Sequence, residues 1–420
     1  MSDTDAPLYY RRHFEGLLVE ALRNDSIVYL SGPRKAGKTT LARKICEGRY
    51  ISFNSPLLLS SIHDDPETFC RSLPENELNI VDDAHFVAEQ FLYAENRLKK
   101  NHDGSRQNSE KRRLLIGPVG LPMFSGYLAV SEHRVRELSL LPFSAAERRQ
   151  AGANFLRRLL IGKLTQRTFD TIRIADEIEG ATFPELALNH GIDREQWFDN
   201  LLSSVLQRDL QTAVGIRNPG RIVPLLVSLA ARVGGLLNDA SVIKEIGLDA
   251  KTYSKYKAAA MCTFLTFEIE PWSGANRVKK RLVRQGKIYF TDTNLMCYVM
   301  RRSLRDVLAV DPITSGRLFE NFIATEIIKQ AAGIRGMRIR HFSLSGGKEV
   351  DFVIEAENGA AVGIDVCFKS VLSERDFSNL QVMRTAMGKN FNRGFIIYAG
   401  TEQTEVSDGL WAVPVSALWE

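Results

Sequence analysis

The sequence predicts an α/β protein in three parts, and three observations carry that prediction. Residues 27–45 read as an apolar strand, a glycine-containing loop and a helix. Residues 151–305 place apolar side chains mainly at helical spacing. Residues 316–420 return to a helix followed by strand-like runs. A chain of 420 residues has room for two or three domains. The divisions fall at 1–150, 151–310 and 311–420.

The first part opens with the apolar run Ile27-Val28-Tyr29-Leu30. Gly32-Pro33-Arg34-Lys35-Ala36-Gly37-Lys38-Thr39 then fits G-x-x-x-x-G-K-T without a mismatch, and Thr40 to Ile45 reads as the helix that follows. This is the strand–loop–helix setting of a P-loop. Glycines let backbone N–H groups wrap phosphates, and the helix N-terminus favours their charge. Residues Gly32 to Thr40 are therefore the expected ATP-binding residues. Lys38 belongs at the β- and γ-phosphates, and Thr39 at Mg²⁺.

The next strand, Leu78-Asn79-Ile80-Val81, ends in Asp82-Asp83, a Walker B pattern. Asp82 is the second expected Mg²⁺ residue. Asp83 stands where many ATPases carry the glutamate that orients the attacking water. Aspartate is shorter by one carbon–carbon bond, about 1.5 Å. A misplacement of about 1 Å can cost two orders of magnitude in rate. Slow turnover is the expectation. Residues 97–113 (RLKKNHDGSRQNSEKRR) read as an exposed basic loop. Arg113 to Gly117 forms a further strand, whose end lacks a polar side chain to sense the γ-phosphate. His133 to Leu140 alternates as a strand, and Ser144 with Glu147 makes a capping box.

These features resemble the prokaryotic AAA-type ATPases that end in domain of unknown function 4143. The resemblance rests on the GPRxxGKTT form of Gly32 to Thr40, on His133-Arg134, and on Leu140 to Glu147. It spans about residues 8–420. It implies that Arg134, just before a strand, reaches a neighbouring subunit's nucleotide as an arginine finger. A homo-oligomer, such as a hexamer, follows from that implication. Phe183-Pro184-Glu185, Arg208-Asp209 and Asp292-Thr293-Asn294-Leu295 also resemble family elements. The last reads as a structural turn, since asparagine tolerates the left-handed conformation.

In the middle part, Leu236 to Leu248 and Asp249 onward read as two short helices joined by a glycine-containing turn. A strand pair around 264–271 and 287–290 would complete a winged helix, as the family also implies. The basic run 277–284 (RVKKRLVR) would lie on the wing, suited to DNA backbone. Such modules also bind proteins.

In the last part, Glu320 lies on a helix, Asp351 on one strand and Asp365 on the next. That layout is restriction-endonuclease-like, and converging carboxylates can hold Mg²⁺ for phosphodiester cleavage. The usual acid-x-Lys of the third strand reads Asp365-Val366-Cys367 instead. Lys369 shares the face but lies about 7 Å further along. A degenerate, non-cutting module is the better reading.

Hydrophobic residues make up 44% and charged residues 25%, ordinary for a globular chain, and the net charge is +5. No apolar stretch approaches a membrane span. The N-terminus lacks an apolar signal core, and the five cysteines are scattered. A reducing cytoplasm is the expected location. The leading expectation is an oligomeric ATP-driven motor or switch acting on DNA. The alternatives are an ATP-gated protein-interaction switch with little turnover, and an ATP-regulated Mg²⁺-dependent nuclease.

Overall fold

The computed structural model describes residues 9–100, 112–124, 135–152, 155–161, 164–213, 215–272, 284–332, 334, 336–356 and 359–419. Its first sheet contains β1 (Ile27–Ser31), β2 (Arg49–Ser52), β3 (Asn79–Asp82), β4 (Arg113–Ile116) and β5 (Val135–Ser139). The five strands are parallel, in the order β2-β3-β4-β1-β5. Every residue of β1 is buried, as a parallel strand covered on both faces requires. Ile27 and Tyr29 pack into one apolar cluster, Val28 and Leu30 into the other. The period of two in β1 thus serves both faces.

The basic stretch expected as a loop starts inside a helix, Ala88–Lys100. Residues 101–111 lie outside the described residues. Arg113, at its far end, is fully buried in β4. Its Nε donates to Glu95 at 3.2 Å, so this arginine serves the interior. A carboxylate one helix away, which charge counting could not locate, supplies the reason.

The middle of the chain is helical. Helix Arg194–Ser204 runs on as a π-helix, Val205–Ala213, and Ile222–Ala230 follows. Helix Asp239–Ile246 ends at Gly247 in the left-handed conformation, and Ala250–Cys262 begins three residues later. Asn238 and Asp249 cap them by accepting from the N–H groups of Ser241 and Thr252. An antiparallel pair follows, β7 (Thr266–Ile269) with β8 (Lys287–Phe290); β6 (Arg167–Thr168) precedes this region. Of the basic run 277–284, only Arg284 is among the described residues.

Asp292 does not open a left-handed turn. It accepts from the Leu295 N–H at 2.9 Å and caps helix Thr293–Val299. Asn294 is a buried residue of that helix, bonded to the Ile178 carbonyl. A capping aspartate ahead of apolar residues favours helix over turn.

The C-terminal sheet comprises β9 (Arg338–Leu344), β10 (Lys348–Glu355), β11 (Ala361–Cys367), β12 (Phe391–Tyr398), β13 (Glu402–Ser407) and β14 (Leu410–Pro414). With β6 on its edge, the order is β6-β13-β14-β12-β11-β10-β9. Beyond β12 the chain adds an antiparallel β13 and a buried β14. Strand β13 is mostly exposed and polar, which hides the period-two signal. One apolar core joins the middle helices to this sheet through Trp197, Tyr289, Phe319, Phe352 and Trp411.

The twenty-residue helix Pro312–Ala331 crosses that core. Asn321 accepts from the Phe290 N–H at 2.8 Å and donates to the Phe290 carbonyl at 3.1 Å, completing one edge of β8. Further along, Glu326 accepts from the Ala145 N–H at 3.0 Å, and Lys329 donates to the Phe143 carbonyl at 2.9 Å.

Candidate functional site

The P-loop leaves the carboxyl end of β1, between β4 and β5, where an open parallel sheet places its ligand crevice. Gly32 has φ 140°, and an added Cβ would lie 2.1 Å from the Leu140 carbonyl oxygen. Only glycine allows this close approach of chain segments. Gly37, at φ 95°, turns the loop into helix Lys38–Ile45.

Lys38 is buried, and its ammonium donates to the Gly32 and Pro33 carbonyls at 2.7 and 2.8 Å. Burial pushes Lys38 down to about 8, against the pull of Asp82. The Thr39 hydroxyl donates to Asp82 Oδ2 at 2.7 Å, and the Tyr50 hydroxyl donates to the same oxygen. Hydroxyl, carboxylate and ammonium therefore meet at one loop. This donor set fits a nucleotide triphosphate with Mg²⁺, which keeps few protein ligands and shares phosphate oxygens.

Asp83 adopts the left-handed conformation, φ 55° and ψ 31°. Its N–H donates to Asp82 Oδ1 at 2.9 Å. Burial and then the charge of Asp82 raise its carboxyl above the usual range. At the end of β4, Gly117 backs onto the Tyr29 hydroxyl, which donates to the Val119 carbonyl. Arg134 lies outside the described residues, and Val135 begins β5 beside Ile27.

Three contacts to this loop were not legible in the sequence. Arg12 is buried and donates to the Ala36 carbonyl at 3.0 Å, to the Leu141 carbonyl at 2.6 Å and to Glu147 at 2.9 Å. Glu147 thus serves both the capping box and the P-loop. Arg34 forks onto Asp209 of the π-helix, with Nε donating to Oδ2 at 2.7 Å and Nη2 to Oδ1. Lys35 donates to Glu185 at 2.8 Å and lies over the Trp197 ring. The only available hint was the family-like Arg208-Asp209 and Pro184-Glu185 pairs, which carry no partner information. His85, just past Asp83, is buried and neither ring nitrogen has a hydrogen-bond partner.

A second cluster lies between the middle helices and the C-terminal sheet. Glu320, Asp351 and Asp365 converge there, from the long helix, β10 and β11. Their centre holds Lys287 of β8, fully buried. Its Nζ is 2.6 Å from Asp351 Oδ1 and 3.5 Å from both Glu320 Oε1 and Glu349 Oε1. Tyr289 donates to Glu320 at 2.7 Å, and the Val366 N–H donates to Asp351 at 2.9 Å.

Burial raises Glu320 to about 7, with Asp351 adding to the rise. Burial and Asp351 push Asp365 well above its ordinary value. Asp351 moves down: burial opposes ionisation most strongly, but Lys287, Asp365 and the Val366 N–H together outweigh it. Burial alone would lower Lys287, yet Asp351, Glu320 and Glu349 hold it above the usual lysine range. Among the described residues no group of three or more His, Cys, Asp or Glu side chains is arranged to hold a metal ion. Two of the three acids expected at Mg²⁺, Glu320 and Asp351, thus pair with an ammonium group, and Asp365 lies against Asp351. Lys369 does not bridge to it; it is half-exposed and pairs with Asp376 at 2.6 Å.

Residues 24–149 match the model of a family described as an AAA domain. Residues 177–306 match a domain of unknown function, DUF8612, and residues 315–418 match another, DUF4143. The chain therefore carries an AAA-type ATP-binding domain followed by a DUF4143 domain.

The uncharacterized proteins Rv2008c of Mycobacterium tuberculosis and Mb2031c of Mycobacterium bovis are each 24% identical over 416 residues. Each match covers 98% of this chain and 85% of the relative. Among solved structures, the Walker-type ATPase PABY2304 of Pyrococcus abyssi is 14% identical. The match covers 70% of this chain and 96% of that one, with a TM-score of 0.41. A RuvB mutant of Thermotoga maritima is 15% identical, with coverage of 61% and 87% and a TM-score of 0.25. Among the described residues no helix is long and apolar enough to cross a membrane.

Proposed function

We propose that this protein binds and slowly hydrolyses ATP with Mg²⁺, as an oligomeric, DNA-associated motor or switch in the cytoplasm. The observation that carries the reading is the Thr39–Asp82 contact of 2.7 Å beside the buried Lys38. Backbone N–H groups from Gly32 to Thr40 cradle the phosphates, Lys38 meets the β- and γ-phosphates, and Thr39 and Asp82 hold Mg²⁺. Asp83 orients the attacking water. Arg134 of a neighbouring subunit completes the site.

In this reading residues 1–150 form the motor, 151–310 a lid and winged helix that meet DNA, and 311–420 a restriction-endonuclease-like module. The two capped helices and the β7–β8 pair support the winged-helix assignment. Lys287 within the carboxylates supports a non-cutting end module over an Mg²⁺-dependent nuclease. A second reading, an ATP-gated protein-interaction switch with little turnover, is favoured by the lack of a polar side chain at Gly117, Pro118 and Val119 beyond β4.

One experiment separates these readings. ATP hydrolysis is measured with and without single-stranded, duplex and branched DNA, alongside particle mass with and without ATP. Stimulation by DNA and an ATP-dependent rise in mass are expected. ATP binding with no turnover under any nucleic acid favours the protein-interaction switch. Metal-dependent cutting that vanishes in Asp351→Ala favours the nuclease. Arg134→Ala should abolish turnover while sparing ATP binding, and unchanged turnover removes its role.

A further inference from the structure

Asp209 is buried at the meeting of Arg34 and His85. Arg34 takes both carboxylate oxygens, while His85 Nε2 stands 3.9 Å from Oδ1 without a hydrogen bond. We propose that Asp209 is a positioning residue for ATP: it parks Arg34 away from the terminal phosphate, and turns to His85 when that phosphate takes the guanidinium. The proposal rests on the P-loop reading given above and adds a carrier of the nucleotide signal to it.

Four observations support the exchange. First, Arg34 lies within the loop, between Gly32 and Gly37, and its planar fork suits carboxylate and phosphate alike. Second, Asp209 holds Arg34 beside His85, which follows Asp83, the residue assigned to the attacking water, by two positions. Third, His85 is a buried imidazole with two unmatched nitrogens. Such a group is costly to keep, and buried polar groups are nearly always paired. A second position of Asp209 provides its partner. Fourth, Asp209 sits on a nine-residue π-helix. Runs of this kind are rare, occur at functional sites, and differ from an α-helix by a shift of hydrogen-bond register. A change of register over 205–213 moves Asp209 without moving helix Arg194–Ser204.

The test uses the full chain with ATP and ADP. Amide hydrogen exchange over residues 205–213 should change with ATP and much less with ADP. Asp209→Asn should tighten ATP about 5-fold or more, in the range usual for coupled sites, and leave ADP nearly unaltered. Arg34→Gln should erase both the ATP preference and the exchange response. Should Asp209→Asn fail to fold, the exchange response of the native chain and its loss in Arg34→Gln still decide the matter. ATP bound with no exchange response over 205–213, or an unchanged ATP-to-ADP ratio in Asp209→Asn, overturns this proposal alone. Failure of the native chain to bind ATP overturns the P-loop reading and this proposal with it.

Discussion

Lys287 Nζ and Asp351 Oδ1 are 2.6 Å apart, and they join the middle helices to the C-terminal sheet. The cation that balances the buried carboxylates comes from β8, far upstream of the strand that ends in Cys367. Lys287 has no exposed surface, so the pair is held without solvent screening. Removing one partner of such a pair leaves a buried charge unmatched and costs about 3–5 kcal/mol. Lys287→Met should lower stability by about that amount in urea unfolding. Adding Asp351→Asn should recover part of the loss. Independent, additive effects of the two changes would argue against a coupled pair.

The acidic centre also makes stability depend on pH. Glu320 rises from 4.5 to about 7 on folding, chiefly through burial and then through Asp351. The folded chain therefore holds a proton that the unfolded chain has released between those values. This contribution is complete below about 4.5 and is lost as pH rises through about 7. Melting temperatures taken from pH 5 to 8 should fall across that window, and Glu320→Gln should flatten the slope.

Nucleotide affinity should report Lys38. Its pKa is lowered to about 8 by burial, and the phosphates select the ammonium form. Affinity should be level below pH 8 and fall by up to about tenfold per pH unit above it. Titrations with a fluorescent ATP analogue from pH 6.5 to 9.5 measure this directly. Lys38→Ala should bind too weakly to titrate.

Asp83 has a structural reason to be short. Its left-handed backbone is one that aspartate and asparagine enter more readily than longer residues. Asp83→Asn should keep the fold and ATP binding while turnover drops at least tenfold. Asp83→Glu should cost about 1 kcal/mol in stability, with no gain in rate. A faster Asp83→Glu enzyme would show that length alone limits hydrolysis.

The elements that depend on local chemistry were readable in advance. The P-loop, the Asp82 strand end, the capping box at Ser144 and the two helices on either side of Gly247 each follow from neighbouring residues. What stayed hidden depends on distant partners. Arg12 carries no signal in its own neighbourhood, yet it is tied to Ala36 and Glu147. Lys287 looked like the first residue of an ordinary strand, yet it fills the acidic centre. Lys369, the nearer lysine in sequence, pairs outward with Asp376. Spacing along a strand predicts which face a residue occupies, and says nothing of what another sheet brings to that face.

Helix Pro312–Ala331 measures about 30 Å at 1.5 Å per residue. Glu326 and Lys329 grip the turn beside the capping box, while Glu320 and Asn321 grip the carboxylate centre and β8. These two pairs of handholds lie less than two turns apart on one rigid rod. One rod thus sets the spacing between the Phe143–Ala145 turn and the Glu320–Lys287 centre. The helix is a tie bar, with one end bolted to the turn of the capping box and the other to the carboxylate cluster.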